Sequence, residues 1–192
     1  GAAMRLQIRP LSPARAEDYF RFFEQVAFND HPEWGCGCYC CFFHATNEAE
    51  WLKRTPEQNR VWAQELIAQN DLHGLLAYDR QKPVGWCHYD KIANLPGTKV
   101  FRAGLTTGDP ESAAIVCFTV AQGWRGQGVA TKLLEAALKD LAAQGVKRVE
   151  AYPQTENGDA EHNYPGPLAL YRKLGFTVVK ETEKGALVEK RL

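Results

Sequence analysis

The chain has 192 residues, 45% hydrophobic and 24% charged, the balance of a globular protein long enough to bury a sizeable core. Lys plus Arg and Asp plus Glu stand at 23 each, so the formal net charge is zero, and a dedicated nucleic-acid binder, which carries a basic excess, is set aside. No apolar run reaches the roughly 20 residues of a membrane span, and the N-terminus lacks the layout of a secretory signal, so the expectation is a cytoplasmic protein with mostly reduced thiols and no membrane partner.

Gly1-Ala2-Ala3 ahead of Met4 reads as a cloning scar, leaving one domain over residues 4–192. Residues 5–9 alternate polar and apolar and predict a strand. Ser12-Pro13 offers an N-cap followed by proline at the first helical position, and 14–27, with Tyr19, Phe20, Phe22, Phe23 and Val26, predicts a helix. Residues 28–55 read as irregular. Thr55-Pro56-Glu57-Gln58 opens a second helix to about Gln69, with Val61, Trp62, Leu66 and Ile67 expected inward. Two strands, 72–79 and 83–90, follow as a hairpin, and 91–111 is a long connection of the kind that is often functional. Ala113 to Val120 is strongly apolar and predicts a strand buried on both faces. Residues 126–144 carry Ala130, Leu133, Leu134, Ala137, Leu138 and Leu141 on one helical face and stop at Gly145. A strand at 147–152, a short helix ending at Gly175 and two strands at 176–181 and 186–191 complete the chain.

Between the apolar strand and the long helix stands Gln122-Gly123-Trp124-Arg125-Gly126-Gln127-Gly128-Val129-Ala130. Glycines let backbone N–H groups approach an anion, and the helix N-terminus adds unpaired N–H groups and the positive end of its dipole. That combination suits a pyrophosphate, with the charge of Arg125 at the rim. The Walker and Rossmann spacings are both absent. The plainer reading is a strand-to-helix turn that uses glycine for close packing.

Two features in order narrow the choice. Arg125-x-x-Gly128-x-Ala130 after an apolar strand resembles the acyl-CoA signature of the GNAT superfamily of N-acyltransferases, and Leu170-Tyr171-Arg172-Lys173-Leu174-Gly175-Phe176 resembles its second landmark, a helix carrying tyrosine followed by Gly-Phe. The likeness is strong over 72–192 and topological over 5–70. Gly85-Trp86-Cys87, Cys117-Phe118, Val149-Glu150-Ala151-Tyr152-Pro153 and Tyr164-Pro165-Gly166-Pro167 are similar to a bacterial branch of that superfamily. The resemblance implies an α/β (α+β) GNAT fold, with a mixed, mostly antiparallel sheet of about seven strands flanked by about four helices.

It also implies the activity: acetyl or acyl transfer from acetyl-CoA, as cosubstrate, to a primary amine of a small molecule or peptide, by direct attack without an acyl-enzyme. Phe118 and Val120 would offer backbone groups to the pantetheine arm and thioester carbonyl, and the amides of Gly126, Gln127, Gly128, Val129 and Ala130 would hold the pyrophosphate. Many members carry an asparagine seven residues before the tyrosine. Tyr164 occupies that position here, and Asn163 beside it is the nearest candidate for that contact.

Tyr171 would face the departing sulfur. A phenol titrates near about 10 and a thiol near about 8.5, so a hydrogen bond to the thiolate competes with full proton donation. The plainer role is a core tyrosine. Glu150 and His88 are the candidate bases for the acceptor ammonium, against structural roles for both. Trp34, Tyr39, Phe42, Phe43 and Trp51 between the first two helices, with Trp86 and Tyr152, are candidates for the acceptor pocket.

Six cysteines occur, and Cys36, Cys38, Cys40 and Cys41 are crowded together near His44. The cluster lacks a second half-site distant in sequence, so the expectation is no metal and buried, free thiols. In an extended chain Cys36, Cys38 and Cys40 would point to one side and Cys41 to the other. The reading leaves room for a homodimer. It also leaves a non-catalytic module that binds acyl-CoA as a sensor; intact Tyr171 and the phosphate turn favour the enzyme.

Overall fold

The computed structural model describes residues 5–28, 37–154 and 166–192. A seven-stranded sheet runs in the order β1-β2-β3-β4-β5-β7-β6, with β1 Gln7–Pro10, β2 Gly74–Asp79, β3 Lys82–Lys91, β4 Ala113–Val120, β5 Arg148–Ala151, β6 Thr177–Thr182 and β7 Gly185–Arg191. Every pairing is antiparallel except β4 with β5. The described helices are α1 Ala16–Arg21, α2 Glu48–Leu52, α3 Pro56–Ala68, α4 Gly97–Phe101, α5 Val129–Ala143 and α6 Leu168–Lys173. None of them is long and apolar enough to cross a membrane.

The central strands are buried because their sequence is apolar on both faces. β4 has no exposed residue, and Lys82 and Lys91 are the exposed ends of β3. The crossover helix α5 buries Val129, Leu133, Leu134, Ala137, Leu138 and Leu141. It packs close against β3 because Gly85 has no side chain: a Cβ there would lie 2.9 Å from Val129. On the other face of β3, Trp86 is fully buried edge-on to Tyr19 of α1.

Several expected elements are broken differently. The helix expected over 14–27 is a 3-10 turn, then α1, then a π-type turn at Phe22–Val26 whose Ala27 N–H reaches the Phe22 carbonyl at 2.7 Å. In α3, capped by Thr55 and Gln58 as its sequence predicts, Val61 faces solvent at 54% exposure while Ala63 and Ile67 face the core. The connection at 91–111 is not bare loop; it holds a 3-10 turn at Ile92–Asn94 and α4.

Candidate active site

β4 and β5 pair in parallel only through Ala113–Ile115 and Val149–Ala151, after which β4 runs on alone to Val120. A bulge in β4 sits at the parting point, since Tyr89 faces Ile115 while His88 faces Cys117, leaving Val116 extra. Beyond it opens a cleft of about 760 Å³, walled by Phe118, Thr119 and Val120 on one side and by Gly166, Pro167, Ala169, Leu170 and Lys173 on the other. Trp124, Arg125, Gly126, Gly128, Val129 and Ala130 close its end.

That end is the turn singled out in the sequence. Gly128 is the N-cap of α5, with φ +84 and no side-chain cap, and the first turn of the helix carries no acidic residue. A left-handed cap without a side chain leaves the helix's first N–H groups facing the cleft, an arrangement that favours an anion. Two expectations change in detail. Arg125 is not a free charge at the rim: its Nε donates to the Val120 carbonyl at 3.0 Å and Nη2 to the Ala27 carbonyl at 3.4 Å, tying the turn to the end of β4 and to the chain after α1. The carbonyl of Val120 is thereby already taken, and Gln127 turns its amide onto the Gly123 carbonyl. Asn163 and Tyr164 lie outside the described residues.

Tyr171 is fully buried beside the cleft. Its Oη is 3.3 Å from where a Cβ on Gly166 would stand, Phe118 is equally near that point, and the Phe118 and Tyr171 rings are 6.5 Å apart. The hydroxyl thus lies against Gly166, one of the residues that wall the cleft. Burial, and after it Cys87 and Cys117, holds its pKa well above that of a free phenol. It stays a protonated donor across the working pH range. Lys173 and Ala169, which wall the cleft two positions either side of Tyr171, escaped the sequence reading; their spacing from Leu170 and from each other on a short helix was the available signal.

Glu150 is also fully buried, but its carboxylate is saturated. It accepts from Arg148 Nη1 at 2.6 Å, Thr106 Oγ1 at 3.0 Å, Thr107 N and Oγ1 at 3.1 and 2.5 Å, and Tyr152 Oη at 2.7 Å. Burial pushes its pKa up, yet Arg148, Thr107 and Tyr152 together hold it below the ordinary carboxyl value. A carboxylate with a lowered pKa and occupied lone pairs accepts a proton poorly, so the geometry makes Glu150 an anchor for residues 106–107 instead of a base.

His88 is fully buried, and neither ring nitrogen has a hydrogen-bond partner among the described residues. It stacks between His44, at 5.7 Å, and Trp86, at 6.0 Å. Burial, then His44, pushes its pKa down to about 3, so the ring is neutral and weakly basic. A depressed native pKa means that the unfolded chain binds the extra proton, so this stabilising contribution is complete above the ordinary histidine value of 6.5 and lost as pH falls toward about 3. His44 has the same sign; His73, raised by its bond to Asp90, has the opposite one and loses its contribution only as pH rises. Replacing His88 by leucine is expected to remove about 2 kcal/mol of the stability loss between pH about 7.5 and about 5, read from urea midpoints at the two pH values.

The expected pocket aromatics divide. Trp86 is a core residue whose Nε1–H donates to Cys40 Sγ at 3.1 Å, and Tyr39 is buried with its hydroxyl on Glu24 at 2.7 Å, so neither walls the cleft. Tyr152 walls a separate small cavity, and Trp34 lies outside the described residues. The cysteine stretch is not extended. Residues 37–40 turn, with Tyr39 at φ +44 and Cys40 at φ +58, which buries Cys40 and Cys41 and exposes Cys38. Cys38 and Cys40 therefore do not share one side as expected, and Cys36 lies outside the described residues. Cys40, Cys41, Cys87 and Cys117 are unoxidised thiols; burial raises the pKa of Cys41 and Cys87, and contact with Cys117, ahead of burial, raises that of Cys40. Among the described residues no group of three or more His, Cys, Asp or Glu is placed to hold a metal.

The profile of the Acetyltransferase (GNAT) family matches residues 17–176. No curated protein matches the chain. Among solved structures, the GNAT domain of S. lividans PAT superposes with TM-score 0.61 at 18% identity, over 97% of this chain and 90% of that one. The PaiA N-acetyltransferase from Thermoplasma acidophilum, solved in complex with coenzyme A, gives 0.59 at 14% identity over 97% and 99%. The ribosomal-protein-alanine N-acetyltransferase from Brucella melitensis gives 0.56 at 19% identity over 97% and 99%.

Proposed function

The chain belongs to the Acetyltransferase (GNAT) family, and on that premise we propose that it moves an acetyl group from acetyl-CoA to a primary amine by direct attack. One observation carries this: the cleft opened where β4 leaves β5 has the uncapped start of α5 at its end and the hydroxyl of Tyr171 against its wall. The pyrophosphate lies on the N–H groups of residues 126–130, and the pantetheine arm follows the free edge of β4 past Phe118.

The neutral amine attacks the thioester carbonyl, the carbon–sulfur bond of the tetrahedral adduct breaks, and the sulfur departs as thiolate toward Tyr171, which stabilises it by a hydrogen bond or supplies its proton. The amine's own proton leaves through water. Glu150 is saturated, and His88 with its pKa near about 3 is too weak a base to take it. The rate should then rise with pH toward the acceptor's own pKa instead of following an enzyme carboxylate.

The test is a panel of amines with acetyl-CoA, following CoA release and the acetylated product together. Product from at least one amine is expected. Acetyl-CoA binding with no product from any amine would make the protein a sensor-type binding module.

A further inference from the structure

The gap between β4 and β5 has a second, smaller neighbour. Phe101, Arg102, Leu105, Tyr152, Gln154 and Lys184 wall a cavity of about 120 Å³ that contains no acidic side chain. Leu105 and Tyr152 pack in one cluster with Val116, the bulged residue where the strands part, so the cavity adjoins the base of the gap.

Arg102 has the features of a charge awaiting an anion. Its Cζ lies 5.2 Å from the ring centroid of Phe43 and 6.0 Å from that of Phe42, and Phe42 in turn stacks on Phe101 at 3.8 Å. Among the described residues its guanidinium makes one hydrogen bond, from Nη1 to the Phe101 carbonyl at 3.0 Å. No carboxylate among the described residues pairs with it. Glu150, to which Tyr152 of the same cavity is hydrogen-bonded, is already paired with Arg148. Burial lowers the guanidinium's pKa, as it does for a cation that loses water without gaining a counter-ion. A half-buried guanidinium beside aromatic rings with only one hydrogen bond among the described residues retains donors that can grip a carboxylate with two parallel hydrogen bonds. Lys184, from the turn between β6 and β7, adds a second cation, and Gln154 an amide.

We propose that this cavity binds the carboxylate of the acceptor, so that the amines acetylated are amino acids or similar small amino-carboxylates. The proposal rests on the acetyl-transfer reading above. The volume suits a carboxylate and a short stem, and a molecule anchored there presents its amine toward the gap.

The experiment compares amino acids with their carboxamides and with the matching decarboxylated amines, in kcat/KM for wild type, Arg102→Ala and Arg102→Lys. Wild type should prefer the carboxylates about 10- to 100-fold, Arg102→Ala should lose that preference chiefly through KM, and Arg102→Lys should recover part of it. Equal use of carboxylate and amide by wild type, or equal loss on both in Arg102→Ala, overturns the proposal. A binding arm needs no turnover. With CoA present, N-acetyl amino acids should raise the melting temperature of wild type and not of Arg102→Ala, while their amides raise neither. No carboxylate-specific shift in wild type overturns the proposal. A clear shift with no product from any amine overturns acetyl transfer alone.

Discussion

Gly128→Glu is expected to abolish binding of CoA and acetyl-CoA, with a loss of about 1,000-fold or more. The new carboxylate would stand at the N-cap of α5, within a few ångströms of the proposed diphosphate, where like charges about 4 Å apart at an effective dielectric near 20 repel by about 4 kcal/mol. Two effects need separating. Gly128 has φ +84, so any side chain there strains the backbone by about 1 to 2 kcal/mol before charge matters. Gly128→Ala carries the same strain without the charge. Calorimetric titration with CoA should show the alanine variant weakened modestly and the glutamate variant silent, with both folded by circular dichroism. Equal affinities in the two variants would place the phosphates elsewhere.

Tyr171→Phe is expected to lower kcat about 100-fold while the Kd for acetyl-CoA moves less than about threefold. The substitution keeps the fully buried ring and its edge-to-face packing on Phe176, and removes only the hydroxyl that lies against Gly166. A donor aimed at the leaving sulfur acts mainly where charge develops, so the loss should fall on turnover. Burial raises the phenol's pKa well above its usual value, so the wild-type pH–rate profile should show no descending limb from Tyr171 below pH about 10. Unchanged kcat in the phenylalanine variant would leave Tyr171 as packing only.

The sequence was most readable where local pattern and burial agree. Ala113–Val120 is a strand from end to end, and its strongly apolar run of eight residues, interrupted only by Thr119, suits one buried on both faces; the stripe at Leu133, Leu134, Ala137, Leu138 and Leu141 fixes the inner face of α5. One position moved: Val129 is buried, and Ala130 instead lines the cleft. Backbone and pairing events were out of reach. Nothing in Tyr39-Cys40 announces two consecutive left-handed residues, because that turn is held by contacts from afar, the Tyr19 hydroxyl on the Tyr39 carbonyl and the Trp86 indole on Cys40. Glu150 and His88 could be named as candidate bases, but pattern cannot show that one is saturated by five donors and the other dry. Arg102 escaped notice because it lies in 91–111, where composition signals only a long connection.

The parting of β4 from β5 also shapes how the molecule breathes. β1 to β4 form one ribbon joined along long registers, and β5, β7 and β6 form another. Three residues from each side sew the two ribbons together. The seam has the shortest register of any pairing in the sheet, so the two ribbons are expected to open as separate units in local unfolding, read by amide hydrogen exchange. The cleft is walled by β4 on one side and by residues 166–173, which lie between β5 and β6 in the chain, on the other, so a molecule in it bridges segments that flank the seam. Occupancy therefore acts as a removable splice, stiffening a sheet that the polypeptide alone leaves divided.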